Sequence, residues 1–588
     1  MSSKHFINDP THLVNTALRS LTFTNPNVAL DPESKIIYCR PSHATPQVSI
    51  ISGGGSGHEP SFAAMVGPGM LSAAVAGTIF ASPSAEQVRT AITSRVDSSL
   101  GVLVVVMNYT GDVLNFGMAV EKAKASGLRV EMVVVGDDVG VGREKAGKVG
   151  RRGIAGTVLV LKIAGGLAAK GWPLGDVAKV ARLTAENIVS VGASLEHVHV
   201  PGRAGDAEED RLAQGEVEVG MGIHNEPGSE RARLHLPQLV ARMLGQLLDS
   251  SDKDRAFLNV NSNEVVLLIN NLGSVSVLEM GGVTAEVVAQ LDSEYGIHPV
   301  RIITGTFMTS LNGLGFSISL LNVVNTNIGG PGMVELLDAA AEVTGWSAPI
   351  RKETWEAKNA ATRTGQTERD EEAKPSGLKM DRSIVKERLG LALESVIAAE
   401  PQVTRYDTIV GDGDCGIGLK RGAEAVLKHI QQAALTDDPL LTLTSIIPIV
   451  ESAMDGTSGA LYAIFLNALA RALRSLSSGD LTPFLWAKAL QQSCRALSRY
   501  TPARPGDRTL VDALYPFVEV LEATGDVKQA AEAAKKAADE TKGMPASLGR
   551  AVYVGGKGFE QVPDPGAFGL ACFFGGLAGK ADEEWEQV

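Results

Sequence analysis

The sequence predicts an α/β region through about residue 350 and an all-α region from residue 383, and three observations carry that expectation. Short β-branched runs alternate with helical patterns upstream, long amphipathic patterns fill the downstream part, and a segment too charged to pack separates the two. A chain of 588 residues is also long for a single core, since roughly 150 residues per domain is the usual prior.

Upstream, Val48–Ser52, Val102–Met107, Val130–Val135, Val265–Asn270 and Arg301–Thr304 read as strands. Their apolar character is continuous rather than alternating, which belongs to strands covered on both faces and predicts mostly parallel sheets with helical crossovers. The wide gap between Val135 and Val265 suggests two α/β subdomains, about 1–190 and 191–350. From Arg351 to Arg382 there are 8 basic and 7 acidic residues, and the large apolar side chains are limited to Trp355, Leu378 and Met380. Such a segment buries too little area to offset its ordering entropy, so 351–382 reads as a solvated linker, with a charged surface helix as the alternative. Beyond it, Ile384–Ala398, Ser458–Leu476, Leu485–Arg499 and Val527–Lys542 are helical patterns, the last built almost wholly of strong helix formers. Residues 383–588 therefore form an all-helical domain.

Composition excludes several classes. A net charge of −13 with no basic stripe argues against nucleic-acid binding. Cys39, Cys415, Cys494 and Cys572 lack both zinc-site spacing and disulfide density, which fits a reducing compartment. No apolar leader or 18-residue apolar run is present, so the expectation is a soluble cytoplasmic protein. Glycine is the outlier, 64 of 588 residues, about 11% against a usual 7%, and its clusters mark where backbone approaches a ligand.

The densest cluster, Gly53-Gly54-Gly55-Ser56-Gly57-His58-Glu59-Pro60, follows a strand, where successive N–H groups can receive ligand oxygens; a plain turn is the alternative. It is not the GxGxxG of a dinucleotide fold. The next strand runs into Asn108-Tyr109-Thr110-Gly111-Asp112, which places Asp112 at a strand's carboxyl end, either in the same crevice or as a helix N-cap. His224, in the glycine-flanked Gly220–Gly228 turn, is a candidate nucleophile or simply a solvated histidine. His197 and His199 are a weaker metal candidate, lacking a third ligand.

In the second half, Asp407, Asp412 and Asp414 place three carboxylates within eight residues, interleaved with Gly411, Gly413 and Gly416 around Cys415. Their repulsion is relieved by a hard cation such as Mg²⁺, and the spacing is not that of an EF-hand. Gly456-Thr457-Ser458-Gly459 opens a long helix whose N-terminus suits anionic oxygens. Arg508, Arg550 and the Asp564-Pro565-Gly566 loop complete a combination that suggests phosphoryl transfer.

Taken in order, GGGSGHEP, NYTGD, GMGIH, GDGDCG, GTSGA, PGDRT and DPGA resemble the two-domain, ATP-dependent dihydroxyacetone kinases over nearly the whole chain. The resemblance implies a substrate-binding K domain (1–350) and a nucleotide-binding L domain (383–588) folded as a barrel of antiparallel helices. It implies that His224 binds dihydroxyacetone or glyceraldehyde as a covalent hemiaminal, which excludes glycerol because glycerol has no carbonyl. Gly54, Gly55, Ser56 and Gly57 would line the substrate, with His58 and Asp112 as acid/base groups. Asp407, Asp412 and Asp414 would hold two Mg²⁺ ions on ATP, and Gly413, Asp414, Cys415, Gly416, Thr457, Ser458, Arg508, Arg550, Asp564, Pro565 and Gly566 would contact the nucleotide. Family members pair as homodimers in which the K site of one chain meets the L site of the other. Some use the L site as a lyase that splits FAD to cyclic FMN, and a diverged, non-catalytic regulator is a third reading. This chain departs from the family pattern at Met107, where Lys is usual, at Asn225, where Gly is usual, and at Leu161, where His is usual, and the first of these implies a weakened or altered substrate preference.

Overall fold

Two six-stranded sheets organise the first half of the chain. The computed structural model describes residues 5–41, 45–202, 212–260, 264–363, 374–432, 435–454, 456–476, 479–545, 548 and 559–579. The chain divides into two units, Met1–Ala361 and Thr362–Val588.

The first sheet contains β1 (Val28–Asp31), β2 (Ile36–Cys39), β3 (Ser49–Ser56), β4 (Ala73–Ile79), β5 (Val102–Met107) and β6 (Val130–Val135) in the order β1-β2-β4-β3-β5-β6. From β4 to β6 it is parallel, and β1 and β2 form an antiparallel edge. Alternate residues of β5 serve two cores: Val102, Val104 and Val106 meet Phe116 and Val120 of the helix Thr110–Ala125. Leu103, Val105 and Met107 pack with the helix Thr157–Ala169, whose residues 157–168 are all buried. Each such side chain contributes roughly 1.5–3 kcal/mol on burial.

The second sheet contains β7 (Ile188–Ser194), β8 (Val217–Val219), β9 (Glu230–Ala232), β10 (Val265–Asn271), β11 (Arg301–Gly305) and β12 (Gly315–Asn322), ordered β11-β10-β12-β7-β8-β9. Here the expectation of mostly parallel pairing fails. Only β10–β11 is parallel, and the other four pairings are antiparallel. All eight residues of β12 are buried, because helices cover both faces of this sheet as well. A strand buried on both faces reads as a continuous apolar run whichever way its neighbour points, so composition does not encode direction. The region is thus α/β with mixed sheets.

Within the charged segment, Lys352–Ala357 forms a short helix whose Trp355 lies 5.5 Å from the Arg301 guanidinium. Leu378–Lys379 pairs in parallel with Gly479–Asp480. Beyond it the described residues are mostly helical: Arg382–Val410, Cys415–Gln432, Pro439–Ala453, Gly456–Arg474, Pro483–Leu497, Val511–Thr524, Val527–Glu540 and Pro565–Leu577. Each packs on its successor and the last returns to the first, closing a ring. Its interior is apolar, lined by side chains such as Phe465, Trp486, Phe517 and Phe574. No described helix is long and apolar enough to cross a membrane.

Candidate functional site

In the first unit the site gathers at the carboxyl ends of β3 and β5. β3 runs through the glycine cluster into Gly57 and His58. Gly57 has a φ of 106°, and a Cβ there would lie 2.7 Å from Phe80 Cε1, so only glycine lets the chain pass this ring. Gly54 faces the site, since a Cβ would sit 3.7 Å from Asp112 Oδ2. Gly55 and Ser56 face elsewhere. Gly55 packs on the backbone of Phe80 and Ala81, and Ser56 Oγ donates to Gly77 O at 2.9 Å, fastening β3 to β4. Asp112 lies in the first turn of the helix Thr110–Ala125, but the N-cap position belongs to Tyr109, which removes the capping reading. Asp112 Oδ1 is buried without a hydrogen-bond partner. Burial pushes this carboxyl above its usual range, against the pull of Ser82 and His224.

His58 is fully buried, and its Nδ1 lies 2.8 Å from Thr309 O. A carbonyl only accepts, so Nδ1 carries the proton and Nε2 presents a lone pair. That Nε2 lies 3.0 Å from His224 Nε2. On the other side of His224, Nδ1 lies 3.0 Å from Glu226 Oε1, and the His224 backbone N–H donates to Glu226 Oε2 at 2.9 Å. Burial, then the neighbouring His224, pushes His58 down to about 3. Burial would raise Glu226, but the hydrogen bond and charge of His224 outweigh it and hold the carboxylate down to about 2. Phe80 stacks on His58 at 5.3 Å and meets His224 edge-on at 5.0 Å; Tyr109 meets His224 edge-on at 4.7 Å. The imidazole is thus fixed in place as well as in proton arrangement.

The turn carrying His224 is itself pinned. Asn225 adopts φ 64°, the left-handed region glycine favours and asparagine tolerates. Its amide bonds Val198 in both directions, accepting from N and donating to O, each at 2.9 Å. Asparagine thus holds this left-handed position with two contacts that a glycine would lack. His197 joins Glu218 at 2.9 Å and His199 joins His5 at 3.0 Å, so the two do not converge on a metal position. Glu218 also accepts from Gly228 N, anchoring the far end of the turn. Met107 is 1% exposed and sits in the core beneath Gly153, whose Cβ would lie 2.7 Å from the Met107 Cβ. Leu161 is likewise a core side chain, and the buried Lys162 donates to Leu336 O at 3.0 Å, with burial lowering its pKa to about 8.

Sequence reasoning missed Glu226, Phe80, Tyr109 and Thr309 as parts of this site. A carboxylate two residues after a histidine in a tight turn was a usable signal for Glu226. Phe80 and Thr309 come from distant segments and carry no local signal.

In the second unit, Asp407 near the end of one helix and Asp412 and Asp414 in the turn before the next bring one carboxylate oxygen each within 4.8 Å of one another. Among the described residues this is the sole cluster of metal-binding geometry. The turn is closed by Cys415 N donating to Asp407 Oδ2 at 3.0 Å and by Gly413 at φ 80°. Three converging oxygens fit a hard cation such as Mg²⁺. Ser458, in the first turn of Gly456–Arg474, places Oγ 4.0 Å from Cys415 Sγ, and Thr457 beside it is exposed. Burial, with Asp407 nearby, pushes the Cys415 thiol up to about 12, so it remains protonated and is no nucleophile. Arg508 is buried at φ 58° and donates to Thr541 O and Val562 O, while Asp564 N donates to Thr541 Oγ1 at 2.7 Å. Asp564 caps Pro565–Leu577 through Ala567 N. Pro565 occupies that helix's first turn, and a Cβ on Gly566 would lie 3.3 Å from Asp564 Oδ1. Gly416 points into the neighbouring helix, where a Cβ would strike Thr404, so its role is close packing. Arg550 lies outside the described residues.

The chain matches the Dak1 domain family over residues 19–345 and the DAK2 domain family over residues 409–579. It is 43% identical to a dihydroxyacetone kinase of Pichia angusta, covering 98% of each chain. It is 34% identical to the triokinase/FMN cyclase of Homo sapiens, covering 97% of this chain and 98% of that one. The crystal structure of the C. freundii dihydroxyacetone kinase in complex with AMP-PNP and Mg²⁺ is similar at 31% identity and a TM-score of 0.64, over 98% of this chain and 100% of that one.

Proposed function

We propose that this chain, which belongs to the dihydroxyacetone kinase family, transfers the γ-phosphoryl group of ATP to dihydroxyacetone, and also to glyceraldehyde, to give the triose phosphate. The observation that carries the reading is His224, held between a buried histidine and a carboxylate with its Nε2 in a defined direction. In this reading residues 1–350 bind substrate, 383–588 bind nucleotide, and 351–382 link them in the cytoplasm. His224 Nε2 forms the hemiaminal with the carbonyl carbon, and a substrate without a carbonyl is not captured. Asp112, whose carboxyl burial pushes above its usual range, accepts the proton of the substrate hydroxyl that attacks phosphorus. Gly54 leaves room for the triose beside that carboxylate.

In the other unit Asp407, Asp412 and Asp414 would hold Mg²⁺, as two ions, and Ser458 at a helix N-terminus would receive phosphate oxygens. When bound, the cations neutralise the charge of the transferring phosphoryl group. The remaining nucleotide contacts are those proposed from the sequence, Gly413, Asp414, Cys415, Thr457, Arg508, Arg550, Asp564, Pro565 and Gly566, without Gly416, which packs on Thr404. The functional particle is a homodimer in which the substrate site of one chain serves the nucleotide site of its partner.

ADP release with Mg-ATP tests the reading. Dihydroxyacetone and glyceraldehyde should support turnover and glycerol should not, and His224→Ala should lower kcat by at least 10³-fold, the scale of losing a covalent step. Equal release with glycerol would sink the hemiaminal. The likeness to triokinase/FMN cyclases favours one second reading, cleavage of FAD to cyclic FMN at the aspartate site. That activity should survive His224→Ala and vanish in Asp412→Ala.

A further inference from the structure

Glu226 has no part in the proposed chemistry so far, yet it is the charged group nearest the nucleophile. The hydrogen bonds fix the protons of the histidine pair by elimination. Thr309 O can only accept, so His58 carries a proton on Nδ1. An ionised carboxylate can only accept, so His224 carries one on its Nδ1. The two Nε2 atoms face each other at 3.0 Å, a separation that requires one proton between them, because two bare lone pairs repel. The pair thus holds three protons on four nitrogens, one more than two neutral imidazoles carry.

We propose that Glu226 is a positioning residue whose negative charge retains this shared proton in the resting site and then balances the positive charge of the His224–substrate adduct. The inference rests on the hemiaminal reading and deepens it. In the step, the shared proton, which rests on His224 Nε2 because burial keeps His58 neutral, passes to His58 Nε2. The freed His224 Nε2 bonds to the carbonyl carbon, the π pair of the C=O bond moves to oxygen, and His58 Nε2 hands the proton to that oxygen. His58 is left neutral, protonated on Nδ1. The His224 ring, now alkylated at Nε2 and protonated at Nδ1, carries one positive charge, 3.0 Å from Glu226 Oε1. Charge and protons balance with no outside acid. That Glu226 stays ionised agrees with its depressed pKa. The other titratable groups facing the pair are Asp112, the Tyr109 phenol and, beside Gly222, Arg152 with its partner Asp138. Arg152 pairs with Asp138 at 2.7 Å and its charge also reaches Glu226, whose Oε1 is the carboxylate oxygen in contact with His224.

Glu226→Gln keeps the shape and one of the two oxygen acceptors while removing the charge. With carbonyl-¹³C dihydroxyacetone and the full-length protein, NMR should show the bound carbon as tetrahedral in the wild type. In Glu226→Gln that signal should fall at least tenfold at the same substrate concentration. The basic limb of kcat/KM, which reports loss of the shared proton, should move down by about one pH unit, the effect of removing one neighbouring charge. Glu226→Asp should restore part of both, and covers the case in which the Gln variant folds poorly. A wild-type adduct signal in Glu226→Gln, or a lost adduct with an unmoved basic limb in both variants, would overturn the proposal. His224→Ala separates the two readings: a tetrahedral signal surviving there would refute the hemiaminal itself, whatever Glu226 does.

Discussion

Asp564 shows how one carboxyl group ties stability to pH. Burial pushes it up to about 7 from an ordinary 3.8, and the Ala567 N–H and Arg508 recover only part of that shift. Its folded value lies above its unfolded one, so across that window the native state binds the extra proton and stability falls as pH rises. The contribution is full below about pH 4 and lost above about pH 7. Asp564→Asn keeps the cap, since asparagine accepts from a helix N–H equally well. In metal-free buffer the urea midpoint of the wild type should decline between pH 4 and 8 while that of the variant stays nearly level. The gap at pH 8 should correspond to about 2–4 kcal/mol in favour of the variant. Parallel profiles would show that Asp564 is ionised without cost. The same variant should bind Mg-ATP more weakly if the loop contacts nucleotide, measured by calorimetry.

The turn Gly220–Gly228 shows what an element adds to its residues. Asn225 pays for a left-handed backbone with two hydrogen bonds to Val198, which join the turn to the segment carrying His197 and His199. Asn225→Gly keeps the conformation and loses the bonds, at about 1–2 kcal/mol. Asn225→Val loses them too and adds roughly 1–2 kcal/mol of steric strain at positive φ. The expected order of thermal midpoints is wild type, then Gly, then Val, with kcat/KM falling in step because His224 is the next residue. A Val variant as stable as the Gly one would place the strain elsewhere. This turn also marks the reach of sequence reading. β5, β6 and β11 were legible because apolar runs with clear flanks carry their own signal, and the helices of the second unit were legible from their period. His224, Asp112 and the aspartate triad were legible because unusual residue types sit among glycines. The antiparallel pairing of β7 and β12, the wall formed by Phe80 and the carbonyl of Thr309 were not. Each depends on which distant segment lies alongside, and residue 309 reaches His58 across about 250 positions of chain.

At the scale of the molecule the two chemistries reside in different units of one chain, the histidine pair within Met1–Ala361 and the carboxylate cluster within Thr362–Val588. A phosphoryl group cannot pass between them unless a substrate site and a nucleotide site meet, either within one chain or between partners. Two inactive variants distinguish these routes. His224→Ala disables only the first unit and Asp412→Ala only the second. If sites meet between partners in a two-fold dimer, a mixed dimer contains one substrate site and one nucleotide site that are both intact and facing. If they meet within a chain, every pair in that dimer has a defect. Co-expressed with distinguishable tags, the two variants should therefore regain activity, at about a quarter of the wild-type value for random pairing, since half the dimers are mixed and each has one working pair. The tandem-purified mixed dimer should show about half. A mixed dimer as inactive as either parent would place the whole reaction within one chain.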